Sequence, residues 1–257
     1  MWHILFYTLN RRKIMIKKVL RKILSKIPIV KRLIIIRDRY INAKRHNKKS
    51  SQSKENVFFH IYENNMWNSD ESRSGPGSEL SDTVMIRKAL PSIWRKYNIK
   101  TFLDVPCGDF NWMKEVDKTS IDYIGGDIVD DIVASNNKSY KTERIEFRKI
   151  DITNDIIPKV DMIFCRDCLV HLSFENIVKA LHNFARSGCK YLMLTSYPLT
   201  IKNHNISDGD FREINLFKEP FNLPGKYLCK VKEKSRRFSE IDRTMYLWDI
   251  GDITKTL

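Results

Sequence analysis

Three short apolar runs in succession each end at an aspartate, and this pattern constrains the chain more than any other feature. Residues 100–105 (KTFLDV), 121–128 (IDYIGGDI) and 145–150 (IEFRKI) have the length and the branched or aromatic content of buried strands, and they lead to Asp104, Asp127 and Asp151. Residues 160–165 (VDMIFC) and 191–196 (YLMLTS) read as a fourth and a fifth strand. A helix carrying Phe110, Trp112, Met113 and Val116 is expected after the first strand, and an amphipathic helix over residues 174–185 before the fifth. Residues 226–232 and 244–250 read as a closing strand pair joined by a charged loop. Alternation at this spacing predicts an α/β fold: a doubly wound, mostly parallel, seven-stranded sheet with an antiparallel terminal strand.

Charge divides the chain in two. The 257 residues carry a formal net charge of +15, a value that suggests nucleic acid until it is located. Residues 1–54 hold 17 Lys and Arg against one acid, Asp38, whereas residues 55–257 sum to −1. The excess therefore sits on an N-terminal arm, and the body lacks the charge for an extensive polyanion groove. Within the arm, Ile16, Val19, Leu20, Ile23, Leu24 and Ile27 recur at helical spacing among Lys17, Lys18, Arg21, Lys22 and Lys26. Pro28 is expected to kink or end that helix, and residues 44–54 read as a polar, basic linker. A basic amphipathic helix suits an anionic membrane surface, or packing on the body with its charged side solvated. No run of 18 apolar residues is present, and five cysteines in this length do not make a disulfide scaffold. The apolar start at residues 1–9 carries its basic residues behind it rather than in front, unlike a secretory leader, so a cytoplasmic setting is expected.

Acids at consecutive strand ends lie where open α/β sheets bind ligands. Asp127 suits a ribose diol, because an ionised carboxylate accepts from two hydroxyls, and Asp151 suits an adenine amino group. Any one such aspartate is ordinarily a turn or cap residue; three in register are harder to dismiss.

The segments FLDVPCGDFNWM, YIGGDI, KIDIT and DMIFCRDCLVHL resemble a class I S-adenosylmethionine-dependent methyltransferase with a Rossmann-like fold. The resemblance covers roughly residues 56–252 and is closest to bacterial enzymes associated with surface-polysaccharide genes. The first turn departs from the usual D-x-G-x-G-x-G pattern: Pro106 and Asp109 stand where glycine is common, and Gly108 is retained. The resemblance implies S-adenosyl-L-methionine as cofactor, with Asp104, Gly108 and Asp109 at its methionine part and Asp127 on the ribose. It places Asp151 and Ile152 at the adenine, and Cys165 and Arg166 near the sulfonium and substrate. A nicotinamide enzyme fits less well, because G-x-G-x-x-G is missing from the first turn.

Cys165, Cys168 and His171 follow one another at i, i+3, i+6, but one C-x-x-C lacks the second ligand pair of a structural zinc site, and no metal is expected. His171 is the first candidate for a general base, with Asp167 and Asp210 behind it; the alternative is a histidine that packs beside the cofactor. Residues 196–224 are polar and aromatic, and the resemblance implies an acceptor pocket there. Asp208, Arg212 and Asn215 are candidates to contact sugar hydroxyls, with Phe211, Phe217 and Phe221 as walls. Arg73, Gly75, Gly77 and Ser78 read as a lid with anion contacts, or as a plain surface loop.

The expected reaction is methyl transfer to O or N of a small or glycan-linked acceptor, in surface-polysaccharide modification. The expected location is cytoplasmic, peripheral on the inner face of the plasma membrane through the arm. An RNA methyltransferase and a non-catalytic, membrane-associated cofactor-binding protein are the competing readings.

Overall fold

The computed structural model describes residues 53–233 and 242–257. The amphipathic arm, its break at Pro28 and the linker up to residue 52 lie outside the described residues. The last two linker residues, Ser53 and Lys54, open the first helix, α1 (Lys54–Glu63), where the Ser53 hydroxyl caps the Asn56 amide.

Seven strands form one sheet: β1 (Thr101–Asp104), β2 (Asp122–Asp127), β3 (Ile145–Lys149), β4 (Met162–Cys165), β5 (Tyr191–Ser196), β6 (Cys229–Lys232) and β7 (Thr244–Asp249). Their order across the sheet is β3-β2-β1-β4-β5-β7-β6. Pairing is parallel from β3 through β5, and β7 runs antiparallel between β5 and β6. The strand that closes the sequence is thus inserted into the sheet rather than added at its edge. Consecutive side chains go to opposite faces, and both faces are covered. Leu103, Ile163, Leu192 and Leu194 share one core with Ile177, Ala180, Leu181 and Phe184 of α4 (Phe174–Arg186). Phe102, Phe164 and Met193 share the other with Ile86, Leu90, Ile93 and Trp94 of α2 (Val84–Lys96). Burial on both faces explains why these strands read as continuous apolar runs without polar alternation.

The α/β, doubly wound architecture is as expected from the sequence, and strand ends shift by a few residues. One element differs. After β1 the chain forms no α-helix: only a short 3₁₀ turn, Met113–Glu115, follows. Phe110 sits at φ 58°, a left-handed backbone that cannot continue a helix, and Phe110, Trp112, Met113 and Val116 reach the core from an irregular turn. The remaining helices are α3 (Asp130–Tyr140), between β2 and β3, and α5 (Ile250–Thr254) at the C-terminus. Among the described residues, no helix is long and apolar enough to cross a membrane.

Candidate active site

Strand order reverses at β1, which has β2 on one side and β4 on the other. The crevice beyond the carboxyl ends of such strands is the open place in a sheet of this kind. A cleft lies there, lined by Asp104, Asp127, Asp151 and Arg166 from the ends of β1 to β4. One wall comes from Phe58 and Tyr62 of α1 with Trp67 just beyond it, and Ile128, Val129, Ile132, Ile150 and Ile152 supply an apolar floor.

Asp127 is buried, and the backbone holds its carboxylate in place: one oxygen accepts from the Gly108 amide at 3.1 Å, the other from the Val129 amide at 3.0 Å. Each oxygen keeps a second lone pair. Burial pushes this carboxyl up to about 6 against the pull of those amides. Asp104, also buried, accepts from the Tyr123 hydroxyl at 2.7 Å, and burial pushes it up to about 7. Gly108 sits at φ +55°, and a Cβ there would collide with the Ser74 hydroxyl, so glycine is needed at this one point of the turn. Asp151 is ion-paired to Lys54 at 3.0 Å and accepts from the Thr153 amide and hydroxyl. Those bonds outweigh burial and hold its carboxyl below the usual value.

The opposite end of the cleft is built differently. His171 lies between Trp67 and Phe211, with ring centroids 5.1 and 5.6 Å away. Its Nδ1 is 2.8 Å from the Asp210 carbonyl oxygen, which only accepts, so Nδ1 carries the proton and Nε2 the lone pair. Asp167 takes a hydrogen bond from Arg243 at 3.0 Å, and Arg243 and Arg166 together hold its carboxyl low despite burial. Arg166 and Arg243 also flank the fully buried Glu233, at 3.0 and 3.3 Å. Among the described residues, no group of three or more His, Cys, Asp or Glu side chains is placed to hold a metal ion.

The structure brings together Asp104, Gly108, Asp127, Asp151, Ile152, Arg166, Asp167, His171 and Ser78 along one cleft. Several other sequence candidates have different work. Asp109 does not line the cleft; its carboxylate accepts from Ser72, Ser74 and the Arg73 amide. Cys165 is sealed in the core, where burial pushes its thiol well up. The Arg73 guanidinium donates to the Glu63 carbonyl, away from the cleft. Asp210 reaches His171 through its main-chain carbonyl rather than its carboxylate. Asp208 accepts from the Ser173 amide and the Asn176 side chain at the start of α4. Asn215 is buried, donating to the Pro198 and Thr200 carbonyls. Arg212 is buried and donates to the Leu169, Leu172 and His204 carbonyls. Burial pulls its guanidinium down to about 9, which leaves it charged at neutral pH. Phe217 and Phe221 pack against the core, and of the three proposed walls Phe211 alone lines the cleft.

The sequence reading missed Lys54, Phe58, Tyr62, Thr153, Tyr197 and Arg243, all of which line the cleft. Arg243 sits at the mouth of an apolar strand, an uncommon place for a charge, and that was the one available signal.

No protein-family model matches the chain, and no curated protein matches it. Solved structures do. The N-methyltransferase NodS from Bradyrhizobium japonicum WM9, in complex with S-adenosyl-L-homocysteine, matches with TM-score 0.56 over 75% of this chain and 98% of its own, at 11% identity. Magnesium protoporphyrin IX methyltransferase from Synechocystis PCC 6803, with bound S-adenosylmethionine, matches with TM-score 0.50 over 78% and 98%, also at 11% identity. At this identity the likeness shows a shared Rossmann-like fold.

The assignment of Arg212 to structure has a measurable consequence. Arg212→Ala leaves buried carbonyls without donors, at about 1–3 kcal/mol each. Chemical denaturation should show a loss of at least about 2 kcal/mol, with the cleft's ligand affinity preserved in whatever fraction stays folded.

Proposed function

We propose that the chain is an S-adenosylmethionine-dependent methyltransferase acting on O or N of a small or glycan-linked acceptor. The observation that carries this reading is the cleft's two ends: a desolvated carboxylate with spare lone pairs beside an apolar floor, and a histidine of fixed tautomer between aromatic walls. The first end fits a nucleoside. Asp127 can accept from both ribose hydroxyls without giving up its backbone donors, and Ile128, Val129, Ile132, Ile150 and Ile152 suit a purine face. Asp151 Oδ1 accepts twice from Thr153, and Oδ2, ion-paired with Lys54, keeps one lone pair, enough to accept from an exocyclic amino group.

When bound, the cofactor supplies a methyl group already activated on a sulfonium, so the protein's task is alignment and proton handling. His171 Nε2 takes the proton from an acceptor hydroxyl, and the Asp210 carbonyl keeps the ring in that tautomer. Trp67, Trp112 and Phe211 offer flat apolar faces, while Asp167 and Ser78 offer polar contacts, the mixture that a sugar ring needs. The polar residues of the 196–224 segment do not support this acceptor, since Asp208, Arg212 and Asn215 are occupied elsewhere. The sugar reading rests instead on the aromatic end of the cleft and on the sequence resemblance, and places the enzyme in polysaccharide modification. We place it in the cytoplasm, held at the inner membrane face by the basic arm, on the strength of the arm's 17 Lys and Arg against one acid.

Three experiments bear on these points. Calorimetry should give one site for S-adenosylhomocysteine and none for NAD. Asp127→Asn should weaken binding about tenfold to a hundredfold, the range expected for charged hydrogen bonds. The ribose donors favour the ionised carboxylate, so wild-type affinity should fall as pH drops through about 6, and the variant should lose that dependence.

For chemistry, labelled methyl transfer should be screened against nucleotide-activated sugars, surface oligosaccharides and RNA. With the acceptor so found, His171→Ala should lower turnover about 100- to 10,000-fold while sparing S-adenosylhomocysteine affinity. Unchanged turnover removes the histidine from the mechanism, and labelling of RNA alone overturns the acceptor class.

For the arm, full-length protein should bind anionic vesicles, and exchanging Lys17, Lys18, Arg21 and Lys22 for Gln should weaken this at least about tenfold, at about 1 kcal/mol per near-surface charge. Binding that ignores the exchange leaves the arm as a packing element.

A further inference from the structure

Residues 69–78 (SDESRSGPGS) cross the front of the cleft between α1 and α2, and Ser74, Gly75, Pro76, Gly77 and Ser78 line it. Pro76 is the one apolar side chain in that stretch, so burial of hydrophobic surface does little to hold it there. What holds it is a set of polar contacts, the Arg73 guanidinium's bond to the Glu63 carbonyl among them. The Asp109 carboxylate accepts from the Ser72 hydroxyl at 2.9 Å, the Arg73 amide at 2.7 Å and the Ser74 hydroxyl at 3.1 Å, and the Asp109 amide donates back to the Ser74 hydroxyl at 3.0 Å. The Asn111 side chain donates to the Ser78 carbonyl at 3.1 Å and to Glu71 at 2.8 Å. Arg166 donates to the Gly77 carbonyl at 2.9 Å.

The fit is close. A Cβ at Gly77 would stand 3.1 Å from Arg243 Nη1 and 3.2 Å from Asp167 Oδ2, and one at Gly75 would stand 2.9 Å from the Trp67 Cβ. The segment therefore bridges both ends of the cleft: Asp109 ties it to the turn beside Asp127, and Arg166 ties it to the charge cluster around Asp167.

We propose that Asp109 is a positioning residue that latches residues 72–78 as a strap across the cleft, and that release of this latch sets how fast a bound nucleoside leaves. This gives a physical reason for aspartate where the resemblance leads one to expect glycine. A glycine would have no acceptor for the Ser72 hydroxyl, the Arg73 amide and the Ser74 hydroxyl, and the strap would keep its contacts with Asn111 and Arg166 and the Arg73 guanidinium's bond to the Glu63 carbonyl. A segment held by polar contacts over little apolar surface can open locally without unfolding the sheet beneath it.

The test uses the full-length chain. Hydrogen exchange should show the amides of residues 72–75 and Ser78 protected in the wild type and exchanging at least about tenfold faster in Asp109→Asn, where the carboxamide meets donors with a donor of its own. The double variant Ser72→Ala, Ser74→Ala removes the strap's two hydroxyl donors while every side chain of the β1 turn stays in place; the Arg73 amide remains as a donor, and the Asp109 amide loses the Ser74 hydroxyl. It should speed exchange in the same segment, which guards against misfolding of the first variant. In both, stopped-flow displacement should show S-adenosylhomocysteine dissociating at least about tenfold faster, with amides of β1 and β4 as protected as before. Strap exchange unchanged in both variants overturns the latch. Faster strap exchange with unchanged dissociation overturns its role in ligand exit. The dissociation measurement rests on the methyltransferase reading, but the exchange measurement does not. A wild type that fails to bind S-adenosylhomocysteine therefore counts against that reading and leaves the latch to be decided by exchange.

Discussion

The Gly108 amide donates to the Asp127 carboxylate across the gap between the β1 turn and the end of β2, and the cleft is built outward from that bond. The Gly108 carbonyl is held as well, by the Asn136 side chain of α3 at 2.7 Å, so both polar groups of this residue are fixed. With the turn locked, Asp109 is presented to the strap and Asp127 to the cleft. The same burial that makes the Asp127 bond strong raises the cost of its charge, which is why its carboxyl is pushed up to about 6. A ligand that donates to this carboxylate relieves that cost. The carboxylate is thus held in place by its backbone donors before any ligand arrives.

The other end of the cleft depends on paired charge. Arg166 from the end of β4 and Arg243 from the start of β7 share Glu233 and Asp167, and all but Asp167 are fully buried. Breaking one partner of such a cluster strands the others in a low-dielectric interior, at several kcal/mol. The cluster joins the insertion of β7 to the end of the cleft that holds His171. A sheet with β7 at its edge would leave Arg243 nothing to do.

The sheet and its strand-end acids were legible in the sequence because burial on both faces turns the central strands β1, β4 and β5 into apolar runs, and because an aspartate closes or follows each of β1, β2 and β3. Phe110, Trp112, Met113 and Val116 misled for a related reason: their spacing is helical and all four are buried, but the backbone at Phe110 is left-handed. Asp208, Arg212 and Asn215 looked like ligand contacts because polar residues clustered after the fifth strand. That segment and the turn before α4 are irregular, so their backbone groups need side-chain partners: Asn215 serves Pro198 and Thr200, Arg212 serves His204, Leu169 and Leu172, and Asp208 serves Ser173. The strap and the Arg243 cluster join positions far apart in the chain, 36 residues for Arg73 with Asp109, 76 for Arg243 with Asp167 and 89 for Gly77 with Arg166. No local pattern encodes such contacts.

The central claim is that Asp127 holds the ribose of a nucleoside cofactor as an ionised acceptor. Carbon-detected NMR of the Asp127 carboxyl, titrated with and without saturating S-adenosylhomocysteine, tests it directly. The free protein should show a midpoint near 6, and the ligand should lower it, because hydroxyl donors favour the charged form. A midpoint that the ligand leaves in place or raises would contradict the account.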